Sequence, residues 1–236
     1  STTVAALEDL DRALDETGWS PPRADLTGWH RHPDYVAYRA DNVRRHCRSE
    51  GVDLDDPGTR LVLSAHGTPV KYLDAGNRYR EYVEEYVAAL SRELGVDDPV
   101  LGYQNHGNRD EVAWTEPDVE DAVISLDADR VVVEPVSFVH EQSETLSELD
   151  VELREEAEEA GIELFRVPVR HAEPRFIRLL ADMVEPLLDE AEPEEGTSSD
   201  GRRFRYGPCR CKPTADTYCL NSVEQPAAES AGTAGA

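Results

Sequence analysis

Short apolar runs alternate with amphipathic segments through the middle of the chain, and the two patterns have different periods. The apolar runs predict buried strands at residues 59–67, 100–107, 130–139 and 162–169. The amphipathic segments predict helices at 79–94, 117–126, 143–161 and 174–191. Strands that alternate with helices favour right-handed βαβ units and one parallel sheet. We therefore expect an α/β fold with a parallel, Rossmann-like sheet that has helices on both faces.

The two ends of the chain differ from this regular middle. Two amphipathic helices, over 3–17 and 33–48, come first. Near the other end the composition changes to Glu, Pro, Gly, Ser and Thr, which predicts a linker over 192–203 and a disordered end at 229–236. The segment 203–219 between them is too rich in cysteine to be only a linker.

The chain is strongly acidic, with 50 Asp and Glu against 24 Lys and Arg and a net charge of −26. So negative a surface repels nucleic acid and anionic lipid, so neither is expected as a partner. Because salt screens self-repulsion, this composition is typical of a halophilic protein from a salt-rich cytoplasm. No apolar run reaches the roughly 18 residues that a membrane helix needs, and no signal-peptide pattern opens the chain. We therefore expect a cytoplasmic protein without a transmembrane segment.

Two places near predicted strand ends carry side chains suited to metal or proton chemistry. His66 directly follows the first strand of the sheet, where an open α/β sheet places its ligands. After the third strand, Glu144, Glu148 and Glu152 recur every four residues and form a row on the predicted helix, with Glu141 near the same face. Carboxylates favour hard divalent ions and imidazole suits iron, so His66 and Glu144 could hold Fe(II). The alternatives are a loop histidine without a task and a solvated helix surface.

A large aromatic side chain lies in the loop after the second strand. Trp114 would then be at the same edge of the sheet as His66. Its ring could stack on a planar ligand, or it could cover core as most tryptophans do. The sequence pattern alone leaves both interpretations open.

The four cysteines of the chain are Cys47, Cys209, Cys211 and Cys219. Cytoplasmic thiols rarely form structural disulfides, so a metal-binding or redox role is the better interpretation. An iron–sulfur cluster, a zinc site and free thiols are the three alternatives.

Three motifs, in order and in spacing, resemble those of the ferrochelatase family. They are SAHG-x-P from Ser64, W-x-x-P from Trp114, and P-x-S-F from Pro135 followed by E-T-L-x-E-L-D-x-E from Glu144. The opening STT, the HPDY segment and the helix EPRFIRLLADMV also resemble that family, so the resemblance covers roughly residues 1–190. It implies insertion of Fe(II), as a substrate, into protoporphyrin IX or coproporphyrin III, with release of two protons, in haem biosynthesis.

The resemblance also implies roles for individual residues. His66 matches the family's metal-binding or proton-accepting histidine, and Glu144 matches the catalytic glutamate that faces it. Glu148 and Glu152 match an acidic row that guides metal in or protons out. Together these four residues are the metal site that the resemblance implies.

Trp114 and Phe138 match residues that line the porphyrin cleft of the family. One departure concerns a second histidine, which many members carry two residues before the glutamate. Here Gln142 occupies that position and His140 lies two residues earlier. A proton relay through that position is therefore not expected in the family's form.

Some ferrochelatases hold a [2Fe–2S] cluster through three C-terminal cysteines and one internal cysteine. Cys209, Cys211, Cys219 and Cys47 resemble that set, and four thiolates are what such a cluster requires. The resemblance therefore implies a cluster that joins the cysteine-bearing end to the body.

Family members consist of two similar α/β domains around a porphyrin cleft, and this chain resembles the second. The implied division is 1–55 as the end of the first domain and its connection, 56–172 as the second domain with the metal site, 173–190 as a closing helix, and 191–236 as linker and cysteine-bearing tail. The expected partners are the porphyrin, ferrous iron and a missing N-terminal chelatase half. The alternatives are a sirohydrochlorin-type cobalt or nickel chelatase and a non-catalytic haem- or metal-binding module.

Overall fold

A parallel four-stranded sheet forms the centre of the protein. The computed structural model describes residues 2–104, 112–188, 195–209, 211–212, 214 and 216–220. Its strands are β1 Asp25–Thr27, β2 Thr59–His66, β3 Val100–Gln104, β4 Arg130–Pro135, β5 Glu163–Arg166, β6 Glu195–Thr197, β7 Arg203–Arg205, β8 Gly207–Pro208 and β9 Thr217–Cys219. Its α-helices are α1 Thr2–Thr17, α2 Pro33–Glu50, α3 Val70–Asp74, α4 Tyr79–Leu94, α5 Val119–Ile124, α6 Leu153–Glu159 and α7 Pro174–Val184. A π-helical segment, Glu144–Glu152, runs directly into α6, and short 3-10 turns lie at Trp29–Arg31 and Glu185–Leu187.

The central sheet has the order β3-β2-β4-β5, and all three neighbouring pairs are parallel. The prediction of an α/β fold with a parallel sheet is therefore confirmed. In the register, His66 lies opposite Gln104 and Ser64 lies opposite Pro135. The carboxyl ends of β2, β3 and β4 therefore meet at one edge, where ligands of open α/β sheets are found.

Successive residues of β2 enter two different cores, because side chains alternate across a strand. Leu61, Leu63 and Ala65 pack in a core that also contains residues of α2, α4 and α7. Val62 faces a second core, formed with α5, the π-helical segment and α6. Helices thus cover both faces, as predicted.

The first core includes residues from each of the four predicted segments. Tyr35, Leu63, Phe176 and Phe204 come from 1–55, 56–172, 173–190 and 191–236 in turn, and all four are buried in it. The boundaries between those segments as domains stay a prediction.

In the second core, Gly102 allows β3 and α5 to approach each other closely, because a Cβ at this position would lie 2.6 Å from the Cα of Val119.

The described residues between 195 and 220, which we call the tail, do not form the predicted linker. Glu195–Thr197 pairs antiparallel with Arg203–Arg205, so the linker prediction is wrong for this part. One reason is local packing: a Cβ at Gly196 would lie only 2.3 Å from the ring of Phe204, so the glycine makes room for that ring. The predicted disorder at 229–236 lies outside the described residues.

A second small sheet joins the tail to the start of the chain. Its order is β1-β9-β8, with Thr27 parallel to Cys219 and Gly207 antiparallel to Cys219. The pattern of the sequence did not predict β1, β8 or β9, since each has only two or three residues. In the part of the chain that the structure describes, no helix is both long and apolar enough to cross a bilayer.

Candidate active site

The structure brings His66 and Glu144 together at the carboxyl edge of the sheet. His66 is the last residue of β2, and Glu144 opens the π-helical segment that follows β4. The Nε2 atom of His66 lies 3.5 Å from Oε1 of Glu144, and both side chains are partly exposed. This pair is therefore reachable from the solvent side of the sheet edge.

The backbone of His66 is held on both sides. Its N–H donates to Oγ of Ser137 at 2.7 Å, and its carbonyl accepts from the Tyr79 hydroxyl at 2.8 Å. The ring nitrogen Nδ1 lies 2.6 Å from the carbonyl oxygen of Gly67. Because a carbonyl can only accept, Nδ1 carries the proton in the neutral ring, and Nε2 presents its lone pair. Two acceptors, the Nε2 lone pair and the Glu144 carboxylate, then face each other and attract a proton or a cation between them.

The acidic row continues outward from this pair along the π-helical segment. Burial raises the pKa of Glu148, and the nearby carboxylates of Glu144 and Glu152 raise it further. A hydrogen bond from the Gln104 amide, 3.2 Å long, opposes this rise. Glu148 therefore holds a proton more readily than an exposed glutamate does.

The prediction of an α-helix over 143–161 is wrong for Glu144–Glu152. Near the end of that segment the N–H of Leu153 donates to the carbonyl of Glu148, an i→i+5 bond. At its start, the carbonyl of Glu144 accepts a hydrogen bond of 2.9 Å from the Gln104 side chain. This hydrogen bond joins the start of the segment to the end of β3. Such π-turns are frequent at functional sites.

Gln104 is a site residue that the sequence pattern did not reveal. It is the last residue of β3, only 2% exposed, and its Oε1 accepts from Oγ of Ser64 at 2.6 Å. The same amide donates to Glu144 and Glu148, so it fixes the acidic row against the sheet. The sequence feature that could have indicated Gln104 is its position, because it is a polar residue at the end of an apolar strand, as His66 is in β2.

Glu141 does not belong to the acidic row. Its carboxylate accepts hydrogen bonds from Arg166, Thr145 and the Val169 N–H, at 2.6, 2.6 and 2.8 Å. Burial favours a higher pKa, but these hydrogen bonds outweigh it and lower the pKa of Glu141. Glu141 therefore joins the π-helical segment to β5 and stays charged.

Phe138 and Trp114 lie beside the loop that begins at His66. The ring centroid of Phe138, a buried residue, is 6.3 Å from that of His66. Trp114 is half-buried, and its backbone forms a bridge with Pro69 in the loop after β2. Their contact with a porphyrin stays a prediction.

The three tail cysteines collect near β1 and α4. Oγ1 of Thr27 donates to Sγ of Cys209 at 3.2 Å, and Cys219 lies opposite Thr27 in the small sheet. Sγ of Cys211 is 3.0 Å from the Tyr82 hydroxyl. Cys209 and Cys211 also line a cavity of about 240 Å³. Three of the four predicted cluster ligands thus approach one place.

Cys47 does not join them, so its prediction as a ligand of the same cluster is wrong. Tyr35, in the first turn of α2, lines the same cavity as Cys209 and Cys211. A helix rises about 1.5 Å per residue, so Cys47, twelve residues after Tyr35, lies roughly 18 Å farther along α2. Its thiol is buried in the first core, and burial raises its pKa. Among the described residues, no group of three or more His, Cys, Asp or Glu side chains is arranged to hold a metal ion.

The fold and the site define an α/β protein that presents a histidine and a row of carboxylates at the carboxyl edge of a parallel sheet. The sequence model of the family described as Ferrochelatase matches residues 1–188. The chain belongs to the ferrochelatase family.

Curated relatives agree with this assignment. A ferrochelatase of a Picosynechococcus species is 40% identical over 172 residues, which cover 70% of this chain and 43% of that protein. A ferrochelatase of a Synechococcus species is 38% identical over 220 residues, covering 87% and 54%. The chain spans about half the length of the curated relatives it matches. A solved chain described as a cobalamin biosynthesis CbiX protein, from Marinobacter aquaeolei, has a TM-score of 0.40 at 16% identity, over 56% of this chain and 99% of that one, and this likeness carries no argument.

Proposed function

We propose that this chain is the metal-handling part of a ferrochelatase, which inserts Fe(II) into a porphyrin and releases two protons. The observation that carries the proposal is the approach of His66 Nε2 to within 3.5 Å of Glu144 at the carboxyl edge of the sheet. Family membership supports it, because the match to the ferrochelatase family covers residues 1–188, which contain the whole central sheet. A curated ferrochelatase matches 87% of the chain.

The chemistry needs a base beside the porphyrin nitrogens and a path for protons. The Nε2 lone pair of His66 accepts a pyrrole proton, and the Glu144 carboxylate stabilises the imidazolium that forms. Glu148, whose pKa is raised, takes a proton from this pair, and Glu152 lies farther along the same segment. Carboxylates and imidazole are also ligands that suit the incoming Fe(II).

Insertion also requires a porphyrin bent so that its nitrogens face the metal. We propose that Phe138 and Trp114 form part of the wall that favours the bent ring, since both lie beside the His66 loop. A wall that fits the bent ring better than the flat one stabilises the transition state more than the substrate. Protoporphyrin IX and coproporphyrin III both remain candidates, and comparing turnover with the two decides between them.

We propose further that the complete enzyme contains a second, N-terminal α/β half that closes the porphyrin cleft, and that it works in haem biosynthesis in a salt-rich cytoplasm. The match of this chain to about half of each relative supports the first point. The net charge of −26 supports the second, because high salt screens such self-repulsion.

Substitution of the central pair tests the function. In the complete enzyme, His66→Ala and Glu144→Gln should each abolish iron insertion and leave the fold intact, as measured by metalloporphyrin formation and circular dichroism. Glu159→Gln, on the exposed end of α6, is the matched control and should keep full turnover. Near-normal turnover of either site variant would show that the assigned pair is wrong.

For the cysteines we propose a [2Fe–2S] cluster held by Cys209, Cys211 and Cys219, with its fourth ligand from a residue other than Cys47. Cys209 and Cys219 lie beside Thr27 of β1, and Cys211 lines the same cavity as Cys209, which supports this set.

Visible absorption of anaerobically purified protein tests this ligand set. Cys209→Ser should remove the absorption of the cluster, whereas Cys47→Ser should leave it unchanged. Loss of the absorption in Cys47→Ser alone would overturn the assignment, and so would wild-type protein without any absorption.

A further inference from the structure

A buried ion pair lies behind the turn that supports His66. Arg39 of α2 and Glu134 of β4 are 2% and 1% exposed, and Nε of Arg39 donates to Oε1 of Glu134 at 2.6 Å. β4 is a central strand of a parallel sheet, where apolar residues are usual, and its neighbours Val131–Val133 follow that rule. Burying two charges is costly, and an apolar pair is often equally stable. Stability alone therefore does not account for this pair.

The remaining donors of Arg39 reach the turn that follows β4. Nη1 donates to the Phe138 carbonyl at 2.7 Å, and Nη2 donates to the Pro135 carbonyl at 2.9 Å. Nη1 also donates to the Tyr35 hydroxyl at 3.0 Å. The planar guanidinium therefore fixes both ends of the turn 135–138, which a lysine could not do with a single ammonium.

The same turn holds His66. Oγ of Ser137 accepts the His66 N–H at 2.7 Å, and the Val136 N–H donates to the Ser64 carbonyl at 2.8 Å. The Phe138 ring lies beside the His66 ring. Hydrogen bonds thus join Arg39 to the turn 135–138, and other hydrogen bonds join that turn to the backbone of His66.

We propose that Arg39 is a positioning residue for His66, and that Glu134 serves to compensate and orient its guanidinium. This inference rests on the proposed function, since it concerns the rate at which His66 acts. A rigid turn keeps His66 Nε2 at a fixed distance from Glu144. Displacement of a reacting group by about 1 Å can cost on the order of 100-fold in rate.

Two variants separate positioning from a merely structural role. Arg39→Met/Glu134→Val removes both charges together, so no buried charge is left alone and the fold should persist. Arg39→Lys keeps the charge beside Glu134 and loses the fork to Pro135 and Phe138. Arg130→Ala is the control, because its ion pair with Asp56 lies at the other end of β4.

Two measurements are made on each folded variant: hydrogen exchange of the His66 amide, with the Leu63 amide as internal reference, and steady-state iron insertion in the complete enzyme. Both Arg39 variants should exchange faster at His66 but not at Leu63, and kcat should fall about 100-fold while KM for the porphyrin is unchanged. Arg130→Ala should match wild type in both. If the double variant fails to fold, Arg39→Lys alone decides.

Unchanged exchange at His66, or unchanged kcat, in a folded Arg39 variant would overturn the proposal. Failure of the proposed function looks different, because wild-type enzyme itself would then form no metalloporphyrin. The exchange measurement still tells in that case whether Arg39 holds His66, since it needs no turnover.

Discussion

The central sheet and the tail are held to the rest of the molecule by different interactions. In the sheet, Val62, Val131 and Val133 are completely buried between two layers of helices. The tail has strands of only two or three residues. It adds Phe204, Tyr206 and Leu220 to the first core, but it is also held by ion pairs, such as the 2.6 Å pair between Lys212 and Asp11. Burial of apolar area is not weakened by charge screening, whereas ion pairs are. The two regions should therefore respond to different perturbations.

Their charges differ as well. The tail segment 195–220 has five Lys or Arg against three Asp or Glu, a net charge of +2, while the whole chain carries −26. The tail thus docks as a basic segment on an acidic body. Arg202, for example, lies 3.2 Å from Glu93 of α4.

The largest effect on stability is expected from a substitution that creates a cavity beside the sheet. Leu63→Ala removes a completely buried side chain of β2 and should lower the free energy of unfolding by about 2–5 kcal/mol. Phe204→Ala in β7 removes a side chain that belongs to the same core but is carried by the tail, so it should loosen the tail more than it destabilises the sheet. Denaturant melts combined with hydrogen exchange compare the two. Equal losses of global stability would mean that the tail and sheet unfold as one unit.

A smaller and local effect is expected from the lysine of the tail. Lys212→Met leaves Asp11 and Asp25 without their ammonium partner, so the tail should detach more often and be cut sooner by trypsin at its arginines. Lys71→Met, at the other lysine of the chain and on exposed α3, is the matched control. Identical digestion of the two variants would contradict an electrostatic attachment of the tail.

Salt should stabilise the body and weaken the docking of the tail. The effect on the tail should be the smallest of the effects predicted for the two regions. Raising KCl from low to molar concentration should raise the melting temperature of the body, because it screens the self-repulsion of an acidic chain. It should also weaken tail docking, since exposed ion pairs contribute only about 0.2–1 kcal/mol each and are screened. Hydrogen exchange of the Tyr218 amide in the tail and of the Leu63 amide in the sheet, measured at each KCl concentration, follows both effects. A melting temperature independent of KCl would contradict the halophilic interpretation.

The sheet could be predicted from the sequence because its signals are local, whereas the pairing of His66 with Glu144 was an expectation from the resemblance to the ferrochelatase family. Apolar runs of eight to ten residues identified β2, β3, β4 and β5, and the end of β2 marked His66 as a candidate. β1 and β9 gave no such signal, because three residues carry no period and their pairing joins distant parts of the chain.

Other features were hidden because they arise only from tertiary contacts. The wide turn at Glu144 accompanies a hydrogen bond from Gln104, forty residues earlier. Cys47 was misassigned because cysteine type and order do not say which end of α2 the tail cysteines would meet. Glu134 stood out as a charge inside a predicted buried strand, but nothing in the sequence indicated that Arg39, on an amphipathic helix, would be its partner.

The pairing of β1 with β9 also sets an order of events during synthesis. Thr27 pairs with Cys219, about 190 residues later. At about 5–20 residues per second, a ribosome needs roughly 10–40 s to make that stretch. During this time β1 has an unpaired edge, and an unpaired edge can form hydrogen bonds with strands of other chains. Its length of three residues and its leading Asp25 limit that hazard, because short and charged edges are poor templates for aggregation.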